Sequence, residues 1–294
     1  MATKKQWTKK DSMDAGLSLL GYGAGAALAY ALFKPKDKPS PIAPGTGTAG
    51  FGAAPKGFFP TRRDIAATLQ RVGRDLGDYF NQASRLAGVP AWLIQAIVAN
   101  EIGFAKYTTV NPAVKATGPG QITPPTAFAV YYIASVWGLI TPEMDALFAR
   151  KLGSQYGTFK AIAMQGRASA SLIAPKLLDL EFNVAMSGLL LRCLTHLFND
   201  GSNANAGRVV LGYNRGIDWS LNALRRPMGI SRAKLISLAS KPGWRMPARL
   251  NITPQETQLQ APGPEGRNYV ANHLAPGGYF ETAVKLGLAP SASV

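Results

Sequence analysis

The sequence predicts a mainly α-helical body preceded by a single hydrophobic N-terminal helix and a Pro/Gly linker. Three observations carry this. Beyond residue 60, apolar residues recur at spacings of three and four, the repeat of one helix face. The period-two alternation of half-buried strands is scarce. Hydrophobic residues make up 47% and charged residues 16% of 294 positions, enough apolar material for one sizeable core.

Residues 1–14 are polar and basic, and residues 15–33 (AGLSLLGYGAGAALAYALF) then run without a charge. As a helix, at about 1.5 Å per residue, this run spans roughly 28 Å, close to the roughly 30 Å hydrocarbon core of a bilayer. Lys9 and Lys10 precede it; Lys34, Lys36 and Lys38 follow. Three readings compete: a membrane anchor, a signal peptide cleaved at ALA or AYA, and a buried core helix. Cleaved hydrophobic regions are usually shorter, and a linker separates the run from the rest, so an anchor is expected. Gly21 and Gly25 stand four apart, which permits close helix approach in a bilayer. Both flanks are basic, so charge does not set the orientation. Residues 34–60 (KPKDKPSPIAPGTGTAGFGAAPKGFFP) cannot bury much surface and read as a flexible linker.

One domain is expected over 61–294. Thr61 and Asp64 have the spacing of a helix N-cap and its third residue, and Ile65, Leu69, Val72, Leu76 and Phe80 follow on one face. Gly88 and Pro90 end that helix and start the next, an apolar helix over 90–101. Further helices are expected over 127–137, from Thr141-Pro142-Glu143 onward, over 180–198, and as shorter pieces over 205–213, 218–224 and 231–240. The stretch 157–175 is ambiguous. No internal repeat is present.

A net charge of +16 attracts polyanions: nucleic acid, anionic lipid or an anionic cell wall. The charge is not gathered into one basic block, and no zinc-finger or RNP pattern occurs, so no specific nucleic acid is expected. Cys193 is the sole cysteine, which excludes an internal disulfide, and it sits in the apolar string LLLRCLTHLF. A Cys193/His196 nucleophile pair competes there with simple core packing, which is favoured. His196 and His273 are the only histidines, so no His/Cys metal site and no cofactor are expected.

Glu101 is the candidate for chemistry. The ten residues before it, AWLIQAIVAN, carry no charge, and it is the single acid between Ala83 and Pro142. Burial raises a carboxyl pKa, and a helix C-terminus disfavours negative charge. Such a group is suited to donate a proton near neutral pH.

The string ASRLAGVPAWLIQAIVANEIGF resembles the entry helices and catalytic glutamate of the soluble lytic transglycosylase family, which has a lysozyme-like fold. ATGPGQITPPTA resembles that family's Gly-rich turn ending in Gln, FNVAMSGLLLRCLTHLF its long Asn-containing helix, VVLGYNRG its Tyr-Asn-x-Gly block, and RNYVANHL its terminal Tyr-Val block. The five blocks stand in the family's order over roughly 78–286. The resemblance implies cleavage of the β-1,4 bond between N-acetylmuramic acid and N-acetylglucosamine in peptidoglycan, leaving a 1,6-anhydro sugar. Glu101 is then acid and afterwards base. Gln121 lies beside substrate, Tyr213 and Asn214 orient the sugar and the glutamate, and the Tyr269 hydroxyl points toward the acid. Tyr213 as a core residue and Asn214 as a turn residue remain the competing readings. Asn183 is expected to hold a neighbouring loop, and Gly118 and Gly120 to serve turn geometry. The implied partners are glycan strands, the membrane through 15–33, and proteins of a virion or secretion complex. The implied location is a single-pass anchor with the catalytic domain facing the wall, in a bacterium or a membrane-containing phage virion.

Three positions depart from the family pattern. Ile102 stands where Ser is common, Pro119-Gly120 where Leu-Met is usual, and Arg215 follows Tyr-Asn in place of a small residue. A missing hydroxyl near the reacting centre, a flatter substrate wall and an added charge near the groove are expected from them. Two rival functions stand beside the lyase. One is a lysozyme-type muramidase with a second carboxylate brought from elsewhere in the chain, such as Asp78 or Glu143. The other is a non-catalytic wall-binding component of a virion or secretion machine.

Overall fold

A computed structural model describes residues 59–200 and 205–290. The expected anchor and most of the linker lie outside the described residues. No helix among the described residues is long and apolar enough to cross a membrane.

The described chain is helical without a named strand. In order run α1 (Ile65–Ala87), α2 (Ala91–Ile102), α3 (Pro124–Val136), α4 (Pro142–Leu152), α5 (Tyr156–Met164), α6 (Ala170–Ile173), α7 (Leu180–Leu197), α8 (Ala206–Met228), α9 (Arg232–Ala239), α10 (Pro254–Gln260), α11 (Gly263–Leu274) and α12 (Tyr279–Lys285). The buried residues form one cluster from Ile65 to Ala289.

Two helices make its centre. In α2 every residue from Trp92 to Asn100 is buried. In α7 the stretch from Phe182 to Leu191 is buried throughout. A helix that is apolar all round must be enclosed by others. The enclosure comes from α1, which packs on both, from α12 against α1 and α2, and from α3, α4 and α8 against α7. The amphipathic α1 turns inward Ile65, Leu69, Val72, Leu76 and Phe80, the stripe read from the sequence. Phe128, Tyr131, Phe148, Phe159 and Phe182 fill the space between α3, α4, α5 and α7 with ring centroids 4.8–6.1 Å apart.

The helix boundaries follow capping chemistry. Thr123, Thr141, Asp179 and Ser231 each accept a backbone N–H in the first turn of α3, α4, α7 and α9. Gly88 closes α1 in the left-handed region. One expectation about the helix ends is corrected. Thr61 does not cap α1; the helix starts after Asp64, and the Thr61 N–H and hydroxyl donate instead to Asn272 Oδ1 at 2.8 and 3.0 Å. The pieces expected at 205–213 and 218–224 are present as the two helical segments of α8, which meet at a break at Gly216 (φ 81°, ψ 164°). The stretch 157–175 folds as α5, α6 and their connection. Helices α10, α11 and α12 have no counterpart among the helices expected from sequence.

The thiol–imidazole pair weighed for Cys193 and His196 does not form. Cys193 is fully buried, its Sγ 4.0 Å from the Val130 carbonyl, and burial pushes its pKa up. His196 instead pairs through Nε2 with the Ala239 carbonyl at 2.7 Å. Among the described residues no group of three or more His, Cys, Asp or Glu side chains is placed to hold a metal ion.

A long-range clamp joins α7 to the loop that precedes α3. Asn183 on α7 accepts the Gly120 N–H (2.8 Å) and donates to the carbonyls of Thr117 (2.8 Å) and Leu177 (2.9 Å), all buried. It holds the 117–122 turn, as expected from sequence. Asn183→Ala leaves the Gly120 N–H without its partner, and each buried orphan costs about 1–3 kcal/mol. Denaturant unfolding followed by circular dichroism should show a loss of at least about 2 kcal/mol; a loss under about 0.5 kcal/mol would mean the turn is held by something else.

Candidate active site

Glu101 occupies the last turn of α2, which ends at Gly103. The chain leaves at φ 50°, ψ −121°, and a Cβ at Gly103 would lie 2.4 Å from Arg62 Nη1. Only glycine allows both the turn and the guanidinium lying across it. From α1, Arg71 donates to the carbonyls of Gly103 (2.6 Å) and Ala105 (3.2 Å), fixing the exit from the other side.

The 117–122 turn forms the next wall. Thr117 and Ile122 exchange both backbone hydrogen bonds, leaving Gly118 to Gln121 as the loop. Gln121 adopts φ 47°, unusual for a residue with a side chain, and its amide donates to the carbonyls of Gly118 (2.8 Å) and Thr109 (3.3 Å). A Cβ on Gly120 would sit 1.9 Å from Ser187 Oγ. The side-chain position of Gly120 therefore faces α7, inside the protein, and its smallness does not flatten the cleft wall as expected. It permits the turn to lie directly on α7.

The third wall is α11, braced by α8. Asn214, in the turn of α8 that precedes the Gly216 break, donates to Glu265 Oε1 at 3.3 Å, leaving its own buried Oδ1 without a partner. Tyr269 has a buried hydroxyl that faces Glu101 and Asn100 but closes no regular hydrogen bond. His273 stacks on the Tyr269 ring, centroids 4.6 Å apart, with Nδ1 2.9 Å from the Tyr269 carbonyl. A carbonyl only accepts, so this is the Nδ1–H tautomer. Burial pushes His273 down to about 3, so the ring is neutral.

Together these walls enclose a cleft of about 460 Å³. Six amides line it: Asn100, Asn111, Gln121, Asn214, Asn268 and Asn272. Glu101, Glu265 and Arg62 are its charged groups, and Tyr269 its aromatic one. Glu101 is only partly accessible, and the protein around it desolvates the carboxyl. That burial is the main cause of a pKa pushed up to about 8; the Tyr269 hydroxyl opposes it, Glu265 adds to it and Arg62 opposes it. The arrangement sets a carboxyl that holds its proton at neutral pH beside six amides, a tyrosine hydroxyl and two opposite charges.

Of the residues singled out by sequence, Glu101, Gln121, Asn214 and Tyr269 line one cleft. Tyr213 does not line it. It is buried behind the turn, its hydroxyl 3.4 Å from the Gly120 carbonyl, and burial raises its pKa. Ile102 packs in the core, and Arg215 donates to the Pro262 carbonyl, tying α8 to the start of α11. Asp78 and Glu143 are exposed on α1 and α4, away from the cleft lining; its second carboxylate is Glu265. Sequence reading missed Glu265, Asn268 and Asn272, yet with Tyr269 they follow the i, i+3, i+4, i+7 pattern of one helix face. It also missed Arg62, for which no local signal exists.

No protein-family model matches the chain, and no curated protein matches it.

The raised pKa has a stability consequence with a definite sign. Folded Glu101 holds its proton to about pH 8, whereas unfolded it releases it near 4.5. The contribution is full below the unfolded value and is lost as pH climbs to the folded one. Relative to Glu101→Gln, which does not titrate there, wild-type stability should fall between pH 5 and 8 by up to about 4–5 kcal/mol and then level off. Paired denaturant titrations at several pH values test this; a difference independent of pH would show that Glu101 is solvated.

Proposed function

We propose that this chain is a peptidoglycan lytic transglycosylase with a lysozyme-like helical body. The observation that carries it is Glu101, a single desolvated acid at the end of an apolar helix, set in a cleft of amides with a tyrosine hydroxyl beside it. Amides match the acetamido and hydroxyl groups of an uncharged sugar backbone, and a carboxyl with a pKa of about 8 is protonated before reaction.

In this reaction the Glu101 O–H protonates the oxygen that joins C1 of N-acetylmuramic acid to N-acetylglucosamine. The C1–O bond breaks with its electron pair leaving on that oxygen. The 6-hydroxyl oxygen of the same muramic acid then bonds to C1, and its proton passes to the Glu101 carboxylate. A 1,6-anhydro ring forms, the enzyme regains its proton, and no water is consumed. The Tyr269 hydroxyl, which faces Glu101, would donate to the carboxylate in the interval. Gln121 and Asn214, which line the cleft, would hold the sugar, while Tyr213 supports the turn from behind.

The remaining parts of the proposal concern placement. The uncharged run 15–33 would anchor the chain as a single span, the linker would reach toward the wall, and the charge of +16 would favour an anionic wall. A virion or a secretion complex suits such a tethered enzyme. One observation favours a second function: Glu265 lies in the same cleft as Glu101, and two carboxylates are the usual equipment of a muramidase that activates water.

Glu101→Gln keeps the shape and removes the transferable proton. Turbidity loss of purified peptidoglycan should fall by at least about 10³-fold, with the circular dichroism spectrum unchanged. Asp78→Asn and Glu143→Gln, both outside the cleft, should stay within about threefold of wild type. Near-normal lysis by folded Glu101→Gln would refute the assignment.

A further inference from the structure

Two charged side chains reach the Glu101 cleft from separate elements: Arg62 from the segment before α1, and Glu265 from the first turn of α11. We propose that they are an opposed pair of positioning charges that set the proton affinity of Glu101, Arg62 favouring the carboxylate and Glu265 favouring the acid. The consequence for catalysis rests on Glu101 being the catalytic acid; the placement of the charges does not.

Arg62 is held where it is by construction. Asn272 Oδ1 accepts the Thr61 N–H, the Thr61 hydroxyl and the Arg62 N–H at 2.8, 3.0 and 3.3 Å. The amide of Asn272 donates in turn to Asn100 Oδ1 at 3.3 Å, one residue before Glu101. The strap 61–62 is thus pinned to α11 and to the catalytic helix together. Its guanidinium lies over Gly103, at the C-terminal end of α2, where a cation complements the helix dipole. Nη1 is buried without a hydrogen-bond partner, and its nearest carboxylate, Asp64, is 4.0 Å away. The charge is therefore not neutralised in a tight pair. Glu265 is held by the Asn214 amide and is exposed to the cleft.

Of the other groups around Glu101, Arg71 is charged and turns to the carbonyls beyond α2, and the rest are neutral. Tyr269 from α11 and Tyr213 from α8 are both pushed up by burial and stay neutral. His273 is neutral behind Tyr269, and Tyr279 from α12, also pushed up, donates to the Ala99 carbonyl at 3.2 Å. Arg71 from α1 is bonded to the Gly103 and Ala105 carbonyls and lies over the Phe104 and Tyr107 rings. The turn and the loop before it bring Gln121 and Asn111, both uncharged. Arg62 and Glu265 are left as the charges that face Glu101, and they act on it with opposite sign.

A residue that must give a proton and then take one back needs both forms within reach. Burial alone favours the acid, and Glu265 adds to that. Arg62 offsets them by stabilising the carboxylate left after the leaving group has taken its proton.

The test needs no substrate. Carbon-13 NMR of glutamate carboxyls in the full chain follows Glu101 through a pH titration, its resonance identified by its loss in Glu101→Gln. Arg62→Gln should raise the Glu101 midpoint by about one pH unit, Glu265→Gln should lower it by a similar amount, and Arg62→Lys should stay near wild type. Both displacements should shrink in about 0.5 M salt, which a purely structural effect would not do. Displacements of the same sign, or both under roughly 0.3 pH unit, overturn the proposal. Should Arg62→Gln fail to fold, the sign and salt dependence of the Glu265→Gln displacement decide, since Glu265 is exposed. Full lysis by Glu101→Gln would refute the enzyme assignment while leaving these midpoints as they are.

Discussion

A carboxyl at the end of a helix buried on every side cannot keep its water, and the rest of the structure is arranged around that constraint. The burial of α2 is required by its sequence: nothing between Trp92 and Asn100 is charged, and the helix is enclosed by α1, α7 and α12. Glu101 then emerges at the C-terminal end of α2, where it lines a cleft. Desolvation and the negative end of the helix act on it together, and both favour the protonated acid. A short polar residue there would have been less costly for the fold. The acid is tolerated because its neutral form is the folded form.

The turn, the strap and α11 around the cleft are each tied to elements distant in sequence. Asn183 on α7 holds the turn that presents Gln121, and Gly120 lets that turn lie on Ser187. Asn272 on α11 holds the strap that brings Arg62 over Gly103. The break at Gly216 follows Asn214, which reaches Glu265 on α11. These side chains are amides in each case. An amide donates and accepts at once without adding charge, so it can join backbone segments beside a desolvated acid without disturbing its proton.

What can be read from sequence is local and periodic. The stripe of α1, the Thr141-Pro142 start and the length of α7 follow from spacing and capping, and they hold. Glu101 is legible because its charge contradicts ten uncharged neighbours. Thr61 misleads, since a cap-and-third-residue pattern says nothing of a competing acceptor 211 residues away. The α11 face escapes notice because Pro, Gly and Arg dilute its start, although Glu265, Asn268, Tyr269 and Asn272 share one side. Arg62 cannot be found at all. Its role comes from tertiary proximity to Glu101, and no spacing encodes that. The departures at Pro119-Gly120 and Arg215 suggest changes to the cleft, but packing turns both toward the protein.

The central claim is that one carboxyl serves as acid and then base, with the sugar's own hydroxyl closing the ring. The mass of the products tests this most directly. Purified peptidoglycan digested by the full chain should release muropeptides ending in 1,6-anhydromuramic acid, each lighter by one water than a hydrolysed end, from the first minutes of reaction. Products with free reducing ends, carrying oxygen-18 when digestion is run in labelled water, would contradict it and make the chain a hydrolase.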